Sequence, residues 1–159
     1  MIEDMSIRPF SSDDADAMAV LFKSSVLELG RHFYNDEQVR AWAARGPIPE
    51  GIRARNKNGL RTLVAVNAGN AVVAYAELEE DGHIDQVYAR PDVAGKGVVS
   101  KLYDELESLA RENGLNRLYT EASEGARRFF IKKDFVETER RTFEIEGVSI
   151  HNFAMEKWL

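Results

Sequence analysis

The stretch "RPDVAGKGVVSKL", residues 90–102, sits where a strand-like run gives way to a helical pattern. Upstream, "HIDQVYAR" is rich in strand formers. Downstream, Val98, Val99, Leu102, Leu106 and Leu109 recur at helical spacing until Gly114 ends the segment. Gly95 and Gly97 bracket Lys96 at the junction. Glycine there bares the amides of a helix N-terminus, where N–H groups and the helix dipole together attract an anion. Two familiar phosphate loops fail on spacing. The G-x-G-x-x-G fingerprint meets Ser100 at its third glycine, and in the G-x-x-x-x-G-K-[ST] loop the lysine precedes Ser or Thr, whereas Lys96 precedes Gly97. An anion site of another kind, or a plain helix cap, remains.

The rest of the chain supplies the context. "SIRPF" reads as a first strand, and Ser11 or Ser12 starts a helix through about Leu29, with Met18, Leu21, Phe22, Val26 and Leu29 as its apolar stripe. Asn35 opens a second helix, "DEQVRAWAA", and Pro49 a third to about Asn58. "LRTLVAV" and "AVVAYAELEE", separated by "NAGN", form a hairpin pattern, and Asp81–Gly82 turns into the strand before the glycine loop. "NRLYTEA" is a strand, "EGARRFFIKK" a helix, and Phe135–Ile145 with Val148–Lys157 a closing hairpin over Glu146–Gly147. The order is strand, helices, three antiparallel strands, helix, strand, helix and hairpin. This is an α/β chain with one β-α-β crossover carrying the glycine loop.

With 159 residues and no repeat or long linker, residues 1–159 read as one domain. A composition 44% hydrophobic and 30% charged is that of an ordinary globular protein. No run approaches the ~18 apolar residues of a membrane span, and "MIEDMSIRPF" has no signal-peptide core, so a cytoplasmic protein away from the membrane is expected. The absence of cysteine excludes disulfides, thiolate zinc sites and cysteine nucleophiles. Three scattered histidines without ligand spacing argue against a metal site. The net charge of −6 argues against nucleic acid as a partner and fits a mild preference for cationic substrates.

"IDQVYARPDVAGKGVVSKL" resembles the acyl-CoA loop of the GNAT superfamily of N-acetyltransferases, Q/R-x-x-G-x-G/A opening a helix after a strand and a proline. "TEASEGARRFFIKKDF" looks like the family's downstream strand and helix, and "FYNDEQVRAWA" like a bacterial branch of it. Ala94 takes the Gln/Arg place and Val99 the final Gly/Ala place, while Gly97 matches. The resemblance implies an α+β fold, a mixed sheet of about seven strands flanked by helices and splayed between the fourth and fifth. It also implies acetyl-CoA as cosubstrate, an amine acceptor that is small or at a peptide terminus, and direct attack through a tetrahedral intermediate. It leaves a homodimer open.

By the same resemblance, Val87 N–H polarises the acetyl carbonyl while Tyr88 and Ala89 line the pantetheine. Ala94, Gly95, Lys96, Gly97, Val98, Val99 and Ser100 surround the pyrophosphate. Ser123 stands near the pantetheine end, and Ala126, Phe129, Phe130 and Lys133 flank the cofactor; core packing competes for at least one of the two phenylalanines. Two-residue alternation would put His83 on the face of Val87, as a general base, with Asp85 orienting it or holding the substrate cation. A solvated strand-end histidine is the competing reading, with Glu77 and Glu79 as reserve bases acting through water. Tyr34, Trp42, His151 and Asn152 border the acceptor pocket, although Trp42 also suits the core. Many members place tyrosine at Phe130 to protonate the leaving thiolate. Ala94, Val99 and Phe130 therefore motivate an alternative, a non-catalytic acyl-CoA-binding module.

Overall fold

The computed structural model describes residues 4–159; residues 1–3, at the start of the segment read above for a leader, lie outside them. Strand β1 (Ser6–Pro9) leads through a short 3-10 turn into helix α1 (Ala15–Leu29), followed by α2 (Asp36–Ala44) and α3 (Pro49–Lys57). Strands β2 (Arg61–Val66), β3 (Val72–Leu78) and β4 (Ile84–Ala89) precede helix α4 (Val98–Glu112). Then come β5 (Arg117–Ala122), α5 (Glu124–Lys132), β6 (Val136–Ile145) and β7 (Val148–Trp158). Among the described residues, seven strands form two antiparallel sheets, β1-β2-β3-β4 and β5-β7-β6, joined by one parallel bridge, His83 to Tyr119. The expected single mixed sheet is thus split almost through at its fourth and fifth strands.

Helices cover both faces of the first sheet because their apolar stripes leave them no alternative. From α4, Val98, Leu102, Tyr103, Leu106 and Ala110 are buried against Val73, Ala74, Ala76 and Leu78, and Phe130 and Phe135 close that core. Ala15, Met18 and Leu21 of α1, with Ile52 of α3, cover Val64, Val66, Val72 and Tyr75 on the opposite face. A third cluster joins Phe22 and Val26 to Val39 and Ala43 of α2 and to Ile145 and Ile150 of the last hairpin. This last contact carries the N-terminal helices over the seam between the sheets. Asn35 and Gln38 exchange backbone and side-chain bonds in a capping box, and the Gln38 amide reaches Ser149 O at 3.0 Å.

The alternation along β4 is broken. Glu77 pairs with Gln86 and Leu78 with Ile84, leaving Asp85 as the extra residue of a β-bulge. Ala76 and Leu78 share a face, so their partners Val87 and Ile84 share one too, and His83 falls on the other. The expected common face of His83 and Val87 is thus lost to one inserted residue.

Candidate active site

The seam opens just beyond the bridge. Tyr119 N–H donates to Gly82 O at 3.1 Å and Thr120 Oγ1 to Ile84 O at 2.8 Å. From there β4 and β5 part. Arg90 N–H bonds Val73 O across to β3, and alternation turns the backbone of Tyr88 and Gln86 the same way. The N–H and C=O of Val87 and Ala89 consequently face the gap, where β5 gives them no partner. The backbone of Tyr88, expected beside the pantetheine, is occupied by β3; only its ring reaches the cleft.

Two clefts meet at that open edge, one of ≈ 490 Å³ and one of ≈ 420 Å³, and share Val87, Tyr88, Ser123, Ala126, Phe130, Tyr34 and Trp42. The smaller runs past Ala89 and Phe129 to Ala94, Gly95 and Val99, roofed by Val26, Leu29 and Phe33 of the α1 segment. Its end is the glycine loop. Helix α4 starts at Gly97, with φ 88°, and no side chain caps it, whereas α2 and α5 are capped by Asn35 and Ser123. The first amides of α4, from Gly97 through Ser100, therefore lack intrahelical acceptors. A Cβ at Gly95 would meet nothing within 4 Å, so the loop has open space before it. Bare amides, open space and an apolar channel ending at an unpaired strand edge fit a cosubstrate with an anionic head and a thin amide-bearing arm. Lys96 is exposed, and Lys133 is tied to Asp104 at 2.7 Å over the Tyr103 ring.

The larger cleft is polar. Asp85, Thr120, Glu121, His151 and Asn152 line it, with Arg45 from the end of α2 and Arg141 from β6. Tyr34 is its hinge: the hydroxyl donates to His151 O at 2.9 Å and accepts from Glu124 N–H at 2.8 Å. Burial raises its pKa above the ordinary phenol value, so it stays neutral. Trp42 packs edge-on against Tyr34, with ring centroids 5.6 Å apart. His151 Nε2 lies 2.5 Å from Glu124 Oε2. Ser123 Oγ accepts from Ala126 N–H at 3.2 Å, which leaves its own proton free to donate. Phe130 is 2% exposed, yet touches both clefts as part of a ring cluster with Tyr103, Phe129 and Phe135.

His83 lines neither cleft. Its Nε2 meets Glu121 at 2.8 Å and its Nδ1 meets Glu79. The hydrogen bond that it donates to Glu121, reinforced by Glu79 against partial burial, raises its pKa to about 9. Carboxylates engage both ring nitrogens and the ring lies off both clefts, so it is not placed there as the free base expected. Glu79, His83 and Asp85 offer ligand atoms within 4.8 Å of one another, but Asp85 already accepts from Arg55 at 3.1 Å and His83 is doubly engaged. That trio is a charge network. Glu77 is fully buried beside Arg55 at 3.1 Å, and desolvation still pushes its pKa up to about 7; it lies outside both clefts.

A pH dependence of stability follows. A pKa raised in the folded state adds stability that is complete below the unfolded value of ~6.5 and is lost as pH rises through about 9. Solvent at the ring edge reduces the contribution to about 1–2 kcal/mol. The melting temperature should fall by several degrees between pH 6.5 and 9.5, and His83→Gln should start lower and fall less, keeping only the decline near pH 7 that comes from Glu77. Parallel curves would remove the charged pair.

The sequence reading missed Arg45, Arg141, Glu121 and Glu124, which reach the site only through the packing of α2, β6, β5 and α5. Comparison with known proteins agrees with the geometry. The family model described as an acetyltransferase (GNAT) domain matches residues 31–157. A crystal structure from Rhodopseudomonas palustris, titled a GCN5-related N-acetyltransferase and also an aminotransferase, class-II, superimposes with TM-score 0.88 at 35% identity over 97% of this chain and 95% of that one. PaiA N-acetyltransferase from Thermoplasma acidophilum, in complex with coenzyme A, gives 0.75 at 18% identity over 98% and 99%. A phosphinothricin acetyltransferase from Sinorhizobium meliloti, in complex with AcCoA, gives 0.75 at 18% over 98% and 89%. No curated protein matches the sequence. Among the described residues, no helix is long and apolar enough to cross a membrane. With sheets parted at β4 and β5, a glycine-opened α4 and a family model over most of its length, the chain belongs to the GNAT acetyltransferases.

Proposed function

We propose that this protein, as a single N-acetyltransferase domain, transfers an acetyl group from acetyl-CoA to a primary amine by direct attack on the thioester carbonyl. The observation carrying this is the unpaired edge of β4, with Val87 N–H facing the point where the two clefts meet. The apolar cleft takes the acyl-CoA arm, Ala89 pairs with it as a missing strand would, and the bare start of α4 receives its phosphates. The amine enters from the polar cleft. Val87 N–H donates to the carbonyl oxygen as negative charge develops there.

His151 fits the base better than His83. It lines the acceptor cleft, and Glu124 at Nε2 favours the tautomer with the proton on that nitrogen, leaving Nδ1 to accept the proton of the amine. Ser123, its proton free, donates a hydrogen bond to the departing thiolate, which takes its proton from water. A thiol leaving group needs little help. With a pKa near ~8.5, leaving as thiolate at pH 7 costs about 2 kcal/mol relative to the thiol. Activity is therefore expected with native Phe130, and Phe130→Tyr should gain at most ~10-fold, because a hydroxyl in that buried ring cluster must find a partner or destabilise the core.

The test is turnover, read by a thiol reagent, of acetyl-CoA with a panel of amines, beside melting curves with acetyl-CoA. Stabilisation without turnover of any amine would establish the binding module suggested by Ala94, Val99 and Phe130. If wild type is inert and Phe130→Tyr turns over, Phe130 marks lost catalysis.

A further inference from the structure

The polar cleft is charged in a way that opposes the protein as a whole. The chain carries −6, yet two guanidinium groups, Arg45 and Arg141, line this cleft. Both cleft carboxylates contact cations outside the lining, Asp85 the Arg55 that it shares with Glu77, at 3.1 Å, and Glu121 the His83 that it shares with Glu79, at 2.8 Å. Neither arginine touches a carboxylate, although Glu121 feels the charge of Arg141. Among the described residues, Arg45 meets no carboxylate, and Arg141 bonds only the neutral Asn152 Oδ1, at 3.3 Å, beside the Phe143 ring at 5.6 Å. Most other arginines in helices and strands have acidic partners at the surface, such as Arg40 with Asp36 and Arg127 with Glu137. The acceptor cleft thus holds two guanidinium groups that no carboxylate contacts.

We propose that the acceptor is an amine that also carries an oxyanion, in the simplest case an amino acid, whose carboxylate is bound by Arg45 and Arg141. A planar guanidinium presents paired N–H donors that match a carboxylate or phosphate better than any neutral acceptor. The arginines come from α2 and β6, while Val87 and His151 mark the reacting end of the same cleft. A molecule with amine and anion at opposite ends spans the two. This replaces the preference for cationic substrates suggested by overall charge, and frees Asp85, tied to Arg55, from holding the amine. The proposal relies on the transferase reading for the fate of the amine, and on the cleft alone for binding of the anion.

The experiment compares an amino acid, its carboxamide and a phosphate-bearing primary amine, by turnover and by calorimetric titration in the presence of CoA. The oxyanion-bearing amines should exceed the carboxamide by about 10–100-fold in kcat/KM, chiefly through KM; whichever is preferred identifies the anion. Arg141→Gln and Arg45→Gln should each remove about 10-fold or more of that advantage, lowering kcat/KM for the acid far more than for the carboxamide. A carboxamide used as well as the acid, or variants that slow both alike, would overturn the proposal and leave the transferase reading intact. Arginine-dependent binding of the acid without turnover of any amine would keep the anion site and overturn the transferase reading. If nothing binds and nothing turns over, both fall.

Discussion

Gly97→Glu should eliminate the rise in melting temperature produced by acetyl-CoA and, with it, all measurable transfer. Two effects combine at this position. The backbone holds φ 88°, a left-handed conformation that costs a side-chain-bearing residue about 1–2 kcal/mol. The added carboxylate then sits against the uncapped amides of α4, occupying with its own charge the place offered to the ligand's phosphates. Ligand stabilisation follows RT ln(1 + [L]/Kd), so raising Kd a thousandfold erases the ~4 kcal/mol expected at a thousandfold excess of ligand over Kd. Gly97→Ala separates the causes. It bears the same backbone strain without charge and should melt a few degrees lower while keeping most of the acetyl-CoA shift. A folded Gly97→Glu protein with an unchanged shift would show that the glycine loop does not bind the cosubstrate.

His151→Ala should lower kcat by about 10²–10⁴ while leaving the acetyl-CoA melting shift intact, because general-base removal has that range and the imidazole lies in the acceptor cleft. Glu124→Gln should retain folding and lose less, since an amide can still bond Nε2 but no longer favours the imidazolium that forms. Tyr34 tests the same geometry indirectly. Its hydroxyl joins the His151 carbonyl to the Glu124 amide, so Tyr34→Phe should misplace the base without removing it. If His151→Ala stays within a few-fold of wild type and His83→Gln does not, the base returns to β4.

The order of helices and strands, the glycine loop and the start of a helix at Asn35 were legible from local pattern. Periods of 3.6 and 2 residues, turn glycines and capping residues act over a few positions, and the chain keeps them outside its β-bulges. Tyr34, Trp42, Asp85, His151 and Asn152 gather on one cleft. What they do there was not legible.

The tertiary structure decided the chemistry at three places. One inserted residue, Asp85, turned His83 to the opposite face from Val87 and gave it to Glu79 and Glu121, because a strand has only two faces and a bulge exchanges them. Glu124 and His151 became a pair only when α5 packed beside β7, and Arg45 and Arg141 came to face one cleft only when α2 crossed to the last hairpin. The sequence by itself determined which segments are helices and strands and where backbone amides are bare, since those depend on neighbours in the chain. Which titratable groups meet, and which stay unpaired, depends on strand register and on contacts between distant segments. That was left to the folded structure, because no short-range periodicity encodes them.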